Sequence, residues 1–247
     1  MHISLQAETL GYILGLPITN SLVLAVVTAL FLVGGGFLVT RSLKTIPARA
    51  QGMVELIIES ILDFMAQILQ DRKQALKFFP LVATIFLFVL VSNWVGVLPG
   101  VGSIGFVEED HGHEVFVPLF RAANADLNMT FALALVTMIA VQWYGIRKLG
   151  FLGHWSKFFI FNKGPIYFFV GLLELIGEFA KVLSFSFRLF GNVFAGEVLL
   201  VIVMALVPLL IPLPFFFLEF FVGFVQALVF AMLTLIFLKV ATMEVEH

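Results

Sequence analysis

The sequence predicts an all-α polytopic membrane protein. It has about five membrane-embedded helices, one amphipathic interfacial helix, and a final pair of helices folded into a long tilted hairpin. Three observations carry that expectation. Of 247 residues, 61% are hydrophobic. Only 12% are charged, against about 25% in an ordinary soluble domain. Apolar runs of the roughly 20 residues needed to cross a bilayer recur along the chain, and mean hydropathy is +1.10. Residues 1–247 therefore read as a single membrane domain.

The opening "MHISLQAETLGYILG" lacks the basic n-region of a cleaved signal, so 1–20 reads as an external N-terminal segment. Residues 21–40 form the first span, closed by the basic "RSLKTIPAR". Over 49–72, Glu55, Glu59, Asp63 and Gln67 recur at four-residue steps while Ile57, Ile61, Phe64 and Ile68 line another side. That pattern is an amphipathic helix lying at the interface or against partner helices. Phe78–Leu98 is the next span, with Asn93 and Trp94 near its far end. Pro99–Ala125 is a Gly-, Pro- and acid-rich loop, and Asp126–Tyr144 crosses back toward Arg147 and Lys148.

After the polar "GHWSKFFIFNKG", an apolar run extends from Pro165 to Val207. At about 1.5 Å per residue it measures about 60 Å, twice the ~30 Å hydrocarbon core. Such a helix must be tilted, kinked or project outside. Pro208, Pro212 and Pro214 break the run, and a second one follows from Phe215 to about Thr242, giving an antiparallel hairpin over 165–242.

The basic residues set the orientation. Arg41, Lys44, Arg49, Arg72, Lys73 and Lys77 flank the amphipathic helix, and Arg147, Lys148, Lys157 and Lys163 mark the later loop. Both groups fall on one side, taken as cytoplasmic. The N-terminus is then outside and the C-terminus inside.

Cysteine is absent, which excludes disulfides and thiolate metal sites. The net charge of −2 gives no hint of a nucleic-acid partner. No cofactor is called for. The "HGHE" stretch (His111, His113, Glu114) reads as part of a solvated acidic loop, since a metal site needs more ligands in fixed geometry.

Ionisable residues inside spans are rare and point to function. The long run carries Glu174, Glu178, Lys181, Arg188, Asn192 and Glu197. Arginine keeps its proton in proteins, so Arg188 is a durable fixed charge and a poor proton carrier. At about 100° per residue, Asn192 shares the Arg188 face and Glu197 points to the opposite side. Glu174 and Lys181 fall nearly in line with Arg188. On the last helix, Glu219 and Gln226 share a face. Packed as a hairpin, Glu219 and Glu197 both come to the outer side of Arg188, where two carboxylates tend to share protons. Arg188 has no carboxylate at i±4, which places its partner on another chain. For Glu178, Lys181 and Lys239, snorkelling and function fit equally. Asn93 fits either a helix–helix hydrogen bond or a channel group.

"LSFSFRLFGNVFAGE" followed by "VQALVFAMLTLIFL" resembles the a subunit of F-type ATP synthases. "FPLVATIFLFVLVSNWVGVLPG" and "ADLNMTFALALVT" are similar to that family's earlier spans. The likeness covers the chain from about residue 20 onward. It implies a proton-translocating stator subunit, with no catalytic site of its own, in a bacterial inner membrane or, less favoured, a plastid membrane. Its partners would be a ring of c subunits, the b subunits of the peripheral stalk and the rest of the synthase. By the same resemblance, Arg188 faces the ring carboxylates, with Asn192 and Gln226 as polar neighbours. Glu197 and Glu219 belong to the outer half-channel, and Ser184 and Glu174 to the cytoplasmic one. Asn93 and Asp126 match polar positions near the outer entrance. Val182 departs from the family, where many relatives carry proline after the lysine. The competing class is a secondary ion-coupled transporter, for which the sequence lacks the expected internal repeat.

Overall fold

The computed structural model describes residues 7–13, 15–41, 43–44, 49–110, 113–155, 165–207 and 211–243. The elements run β1 (Thr9–Ile13), β2 (Leu16–Thr19), α1 (Asn20–Arg41), α2 (Arg49–Leu69), α3 (Arg72–Val97), β3 (Gly105–Asp110), β4 (His113–Pro118), α4 (Leu127–Leu149), α5 (Phe151–Trp155), α6 (Pro165–Leu206) and α7 (Pro212–Thr242). Five of them, α1, α3, α4, α6 and α7, are long and apolar enough to cross a membrane. The chain is a multi-pass membrane protein of helical class.

Several boundaries differ from the sequence reading, each for a local reason. The amphipathic helix ends at Leu69, not residue 72, and α3 starts at Arg72, not Phe78. Gln70 takes a left-handed φ of 57°. Asp71 then caps α3, its Oδ1 accepting from the backbone N–H of Lys73 (2.8 Å) and Gln74 (3.3 Å). Such a cap satisfies N–H groups that a helix start leaves open. The last helix starts at Pro212, so Pro212 and Pro214 lie in its first turn and do not precede it. A proline there costs no hydrogen bond, because those N–H groups have no helical acceptor. Pro208 lies outside the described residues. Helix α6 runs unbroken through Val182 for 42 residues, about 60 Å at ~1.5 Å per residue. Valine keeps the N–H that proline would remove.

Two small antiparallel hairpins, β1–β2 and β3–β4, are additions the sequence reading did not contain. Gly15 turns the first one at φ +84°, a conformation that suits glycine. His111, and the side chains of His113 and Glu114, lie outside the described residues.

The bundle centres on α3, which packs along α7 and against α2, while α4 lies against α6 and α7. Phe78, Val82 and Val89 of α3 are buried with Ala134 and Val141 of α4, Leu189 of α6, and Ala227 and Leu235 of α7. Alanines at 134, 227 and 231 let the helices approach closely, the usual device where lipid offers no hydrophobic drive. T-shaped ring pairs, Phe185–Phe230 at 4.6 Å and Phe78–Tyr144 at 5.5 Å, join α6 to α7 and α3 to α4.

One end of the bundle is stitched by polar contacts. Asn20 Nδ2 donates to the Pro118 carbonyl at 3.3 Å, and Trp94 Nε1 donates to the Phe220 carbonyl at 3.1 Å. This is called the hairpin end below. The opposite, basic end holds Arg41, Arg72 and Arg147, and there Lys239 Nζ reaches the Ile68 carbonyl at 3.3 Å.

At Gly96 an added Cβ would lie 2.6 Å from the Ala122 Cβ and 3.0 Å from its Cα, so α3 touches the 119–126 segment there. Around Gly35 of α1 nothing lies within 4 Å. Gly96→Ala is therefore expected to destabilise by about 1–3 kcal/mol, whereas Gly35→Ala stays neutral or gains about 0.5–1 kcal/mol. Thermal unfolding of the detergent-solubilised protein checks both.

Candidate functional site

Arg188 lies on α6 and is exposed on the bundle surface. Its Nη2 donates to the Ser184 Oγ one turn earlier at 3.3 Å. Among the described residues no carboxylate pairs with it. Asn192, one turn on, is half-buried. Along the same side Ala180, Ser184, Gly191 and Ala195 are also exposed. A strip of small residues thus runs down the helix with one cation in it.

Glu197 turns away from that strip, as its nine-residue offset requires. Its Oε1 lies 3.4 Å from Arg121 Nε, and the two side chains are 34% and 8% exposed. Its Oε2 is buried without a hydrogen bond among the described residues. Glu219 of α7 is buried, and its carboxylate sits directly against Gly196, where any Cβ would overlap it. One glycine thus lets the two acidic positions of α6 and α7 approach. Gln226, two turns further along α7, is half-buried.

Asn93 and Asp126 are buried at the hairpin end in hydrogen-bonded settings. Asn93 Nδ2 donates to the Gly223 carbonyl at 3.0 Å, and its Oδ1 accepts from Asn124 Nδ2 at 2.7 Å. Asp126 caps α4 by accepting from the Asn128 N–H at 2.9 Å, and it accepts from Ser21 Oγ at 2.7 Å. Both residues tie helices together, α3 to α7 and α1 to α4.

At the basic end, Glu174 lines a cavity with Gln142, His154, Glu178, Lys181, Phe237 and Val240. Its volume of about 30 Å³ holds one or two waters, at about 10–15 Å³ each. Buried His154 meets Gln142 Oε1 at 2.5 Å, and Gln142 Nε2 donates to Glu178 Oε2 at 2.9 Å. Glu178 Oε1 pairs with Lys181, whose Nζ lies 4.8 Å from the Phe237 ring centroid. Glu178 and Lys181 are therefore paired to each other inside the bundle, and neither simply snorkels outward.

Sequence reasoning missed Arg121, Asn124, Gln142 and His154. Arg121 carried a usable signal, being the single Lys or Arg between Lys77 and Arg147. It sits in the segment otherwise marked by acids. Gln142 and His154 carried none, since their meeting depends on α5 folding back beside Gly145. A Cβ at Gly145 would come within 2.6 Å of the His154 ring.

The ATP synthase A chain family profile matches residues 21–239. The chain belongs to the ATP synthase A chain family. The ATP synthase subunit a of Campylobacter jejuni subsp. doylei is 33% identical over 217 residues, covering 87% of this chain and 86% of that protein. A subunit a from Campylobacter jejuni subsp. jejuni is 33% identical over 221 residues, covering 88% of each. The resemblance carried by the RLFGN block is thus a family membership. As an ATP synthase A chain, the protein is a membrane subunit of the synthase and takes part in ATP synthesis and ion transport. Arg188 and Glu197 on α6, and Glu219 on α7, all fall inside the matched span.

The Gly196–Glu219 contact yields a test. Gly196→Ala is expected to displace the Glu219 carboxylate and cut ATP-driven proton pumping in membrane vesicles at least tenfold, roughly the ~1.4 kcal/mol of a tenfold effect. Shortening the acid in Gly196→Ala/Glu219→Asp is expected to recover part of that loss.

Proposed function

We propose that the chain is the proton-translocating stator of an F-type ATP synthase, with two offset half-channels that pass protons to and from the carboxylates of a rotating ring of c subunits. The observation that carries this reading is Arg188, a permanent cation exposed midway along an apolar helix. A charge placed so at membrane depth is costly unless another group answers it. Among the described residues no carboxylate does, so the answering group lies on a neighbouring chain. Ala180, Ser184, Gly191 and Ala195 beside it leave room for a partner helix to come close.

In this reading the hairpin end faces outside and the basic end faces the cytoplasm, consistent with the distribution of Lys and Arg. A proton enters at the hairpin end past Glu219 and Glu197 and neutralises a ring carboxylate. The neutral site then travels through lipid at little electrostatic cost. After nearly a full turn it meets the second half-channel near Ser184, and its proton leaves through the cavity beside Glu174. Arg188 stands between the two routes. It holds the returning carboxylate as an anion, and because arginine does not give up its proton it does not itself conduct. Asn192 and Gln226 flank it. Asn93 and Asp126 stand at the outer entrance. Each proton crossing with the field releases about 2.3 kcal/mol per 100 mV.

The partners are the c-ring, the b subunits of the peripheral stalk and the remaining synthase, in a bacterial inner membrane. The N-terminus lies outside and the C-terminus inside. Length supports the ring contact: a helix of 42 residues offers a contact line longer than an upright span.

Arg188→Ala is expected to abolish ATP-driven proton pumping while c subunits still co-purify. Normal pumping by the assembled variant contradicts the reading. Glu219→Gln is expected to lower proton flux at least tenfold, and unchanged flux across the pH range removes Glu219 from the route.

A further inference from the structure

The hairpin end carries a charge that the offset-channel mechanism does not use. Arg121 precedes α4 by one short turn and points into the bundle, its side chain 8% exposed. Its segment is held firmly. Ala123 and Ala125 are fully buried, Asn124 donates to Asn93 at 2.7 Å, and Ala122 rests on Gly96. The guanidinium is thus delivered by fixed backbone and not by a mobile surface arm. It faces Glu197 of α6, Nε to Oε1, at 3.4 Å. That distance is an ion pair longer than the ~2.7–2.9 Å of a tight charge-assisted hydrogen bond.

The two carboxylate oxygens of Glu197 are therefore unlike. Oε1 lies in the field of a permanent cation, while Oε2 is buried without a hydrogen bond among the described residues. A buried acceptor left open in this way is uncommon in folded proteins. Here it leaves one oxygen available to a proton while the other is held. Arg188 cannot take this part, because it lies on the opposite side of α6 from Glu197.

We propose that Arg121 is a positioning residue of the outer half-channel, the fixed counter-charge that holds Glu197 through Oε1 and leaves Oε2 open to the incoming proton. The inference rests on the half-channel reading of Glu197 given above. Arg121 itself keeps its proton throughout, so no proton passes through it. The carboxylate is thus held in place by a fixed charge and not by solvent. Losing the guanidinium leaves Glu197 a half-buried charge without its counter-ion, a situation that costs more than never having had the pair.

The test measures ATP-driven proton pumping in inverted membrane vesicles carrying the assembled synthase, with co-purified c subunits as the measure of assembly. Three variants, Arg121→Lys, Arg121→Gln and Glu197→Gln, are compared with the unmodified chain. The proposal expects Arg121→Gln to assemble and to pump at least tenfold slower, and Arg121→Lys to stay within about threefold of the unmodified enzyme, because the charge is kept. Glu197→Gln is expected to lose pumping as well. If Glu197→Gln loses pumping and assembled Arg121→Gln does not, the half-channel reading stands and the role of Arg121 is overturned. If Arg121→Lys and Arg121→Gln lose pumping equally, or both lose the c subunits, Arg121 serves packing and the proposal is overturned. If Glu197→Gln pumps normally, the outer half-channel reading falls and takes the proposal with it.

Discussion

A membrane does not leave an unanswered charge alone, and that constraint organises this structure. Arg188 sits on the outer surface of the longest helix with only Ser184 as a partner among the described residues. Several buried charges are matched, Glu197 by Arg121, Glu178 by Lys181, Asp126 by Ser21 and a helix N-terminus, while the buried Glu219 rests against Gly196. In the proposed function this exposed cation, Arg188, is answered by a group on a neighbouring chain.

The two ends of the bundle are built differently. The hairpin end is pinned by long-range hydrogen bonds linking β4 and the 119–126 segment to α1 and α3, and α3 in turn to α7. Buried polar groups with full partners favour one arrangement over near alternatives. That rigidity suits a place where the Glu219 carboxylate of α7 rests directly against Gly196 of α6. The basic end instead leaves a small cavity among Gln142, His154, Glu174, Glu178 and Lys181. There the side chains of Gln142, His154 and Glu178 link α4, α5 and α6.

Much of the fold was legible in the sequence because membrane helices declare themselves by length and hydropathy. Five helices long and apolar enough to cross a membrane match the number the apolar runs imply, and the family resemblance rested on one dense block, RLFGN with GE beyond it. Boundaries were less legible. Asp71 and Pro212 decide them through capping and first-turn geometry, which period and hydropathy do not register. The hairpins were missed because strands of four to six residues are too short to carry a strong pattern of their own. At the candidate site, helical angles put Glu197 on the side of α6 away from Arg188, but they name no partner for it. The structure pairs it with Arg121, from 76 positions earlier in the chain. No spacing rule within one helix contains that contact. The sequence leaves Asn93 open between a helix–helix hydrogen bond and a channel group and matches Asp126 to a polar position of the route; in the structure each ties two helices together.

The central claim is that the Arg188 strip of α6 is the face that meets the partner ring. Because the chain has no cysteine of its own, single cysteines can be placed cleanly. Disulfide cross-linking of the assembled synthase, with a cysteine beside the c-subunit carboxylate, tests the claim directly. A cysteine at Gly191 is predicted to cross-link to the c subunit, and one at Phe31, equally exposed but on α1, is predicted not to. Cross-linking from Phe31 with none from Gly191 would contradict the account.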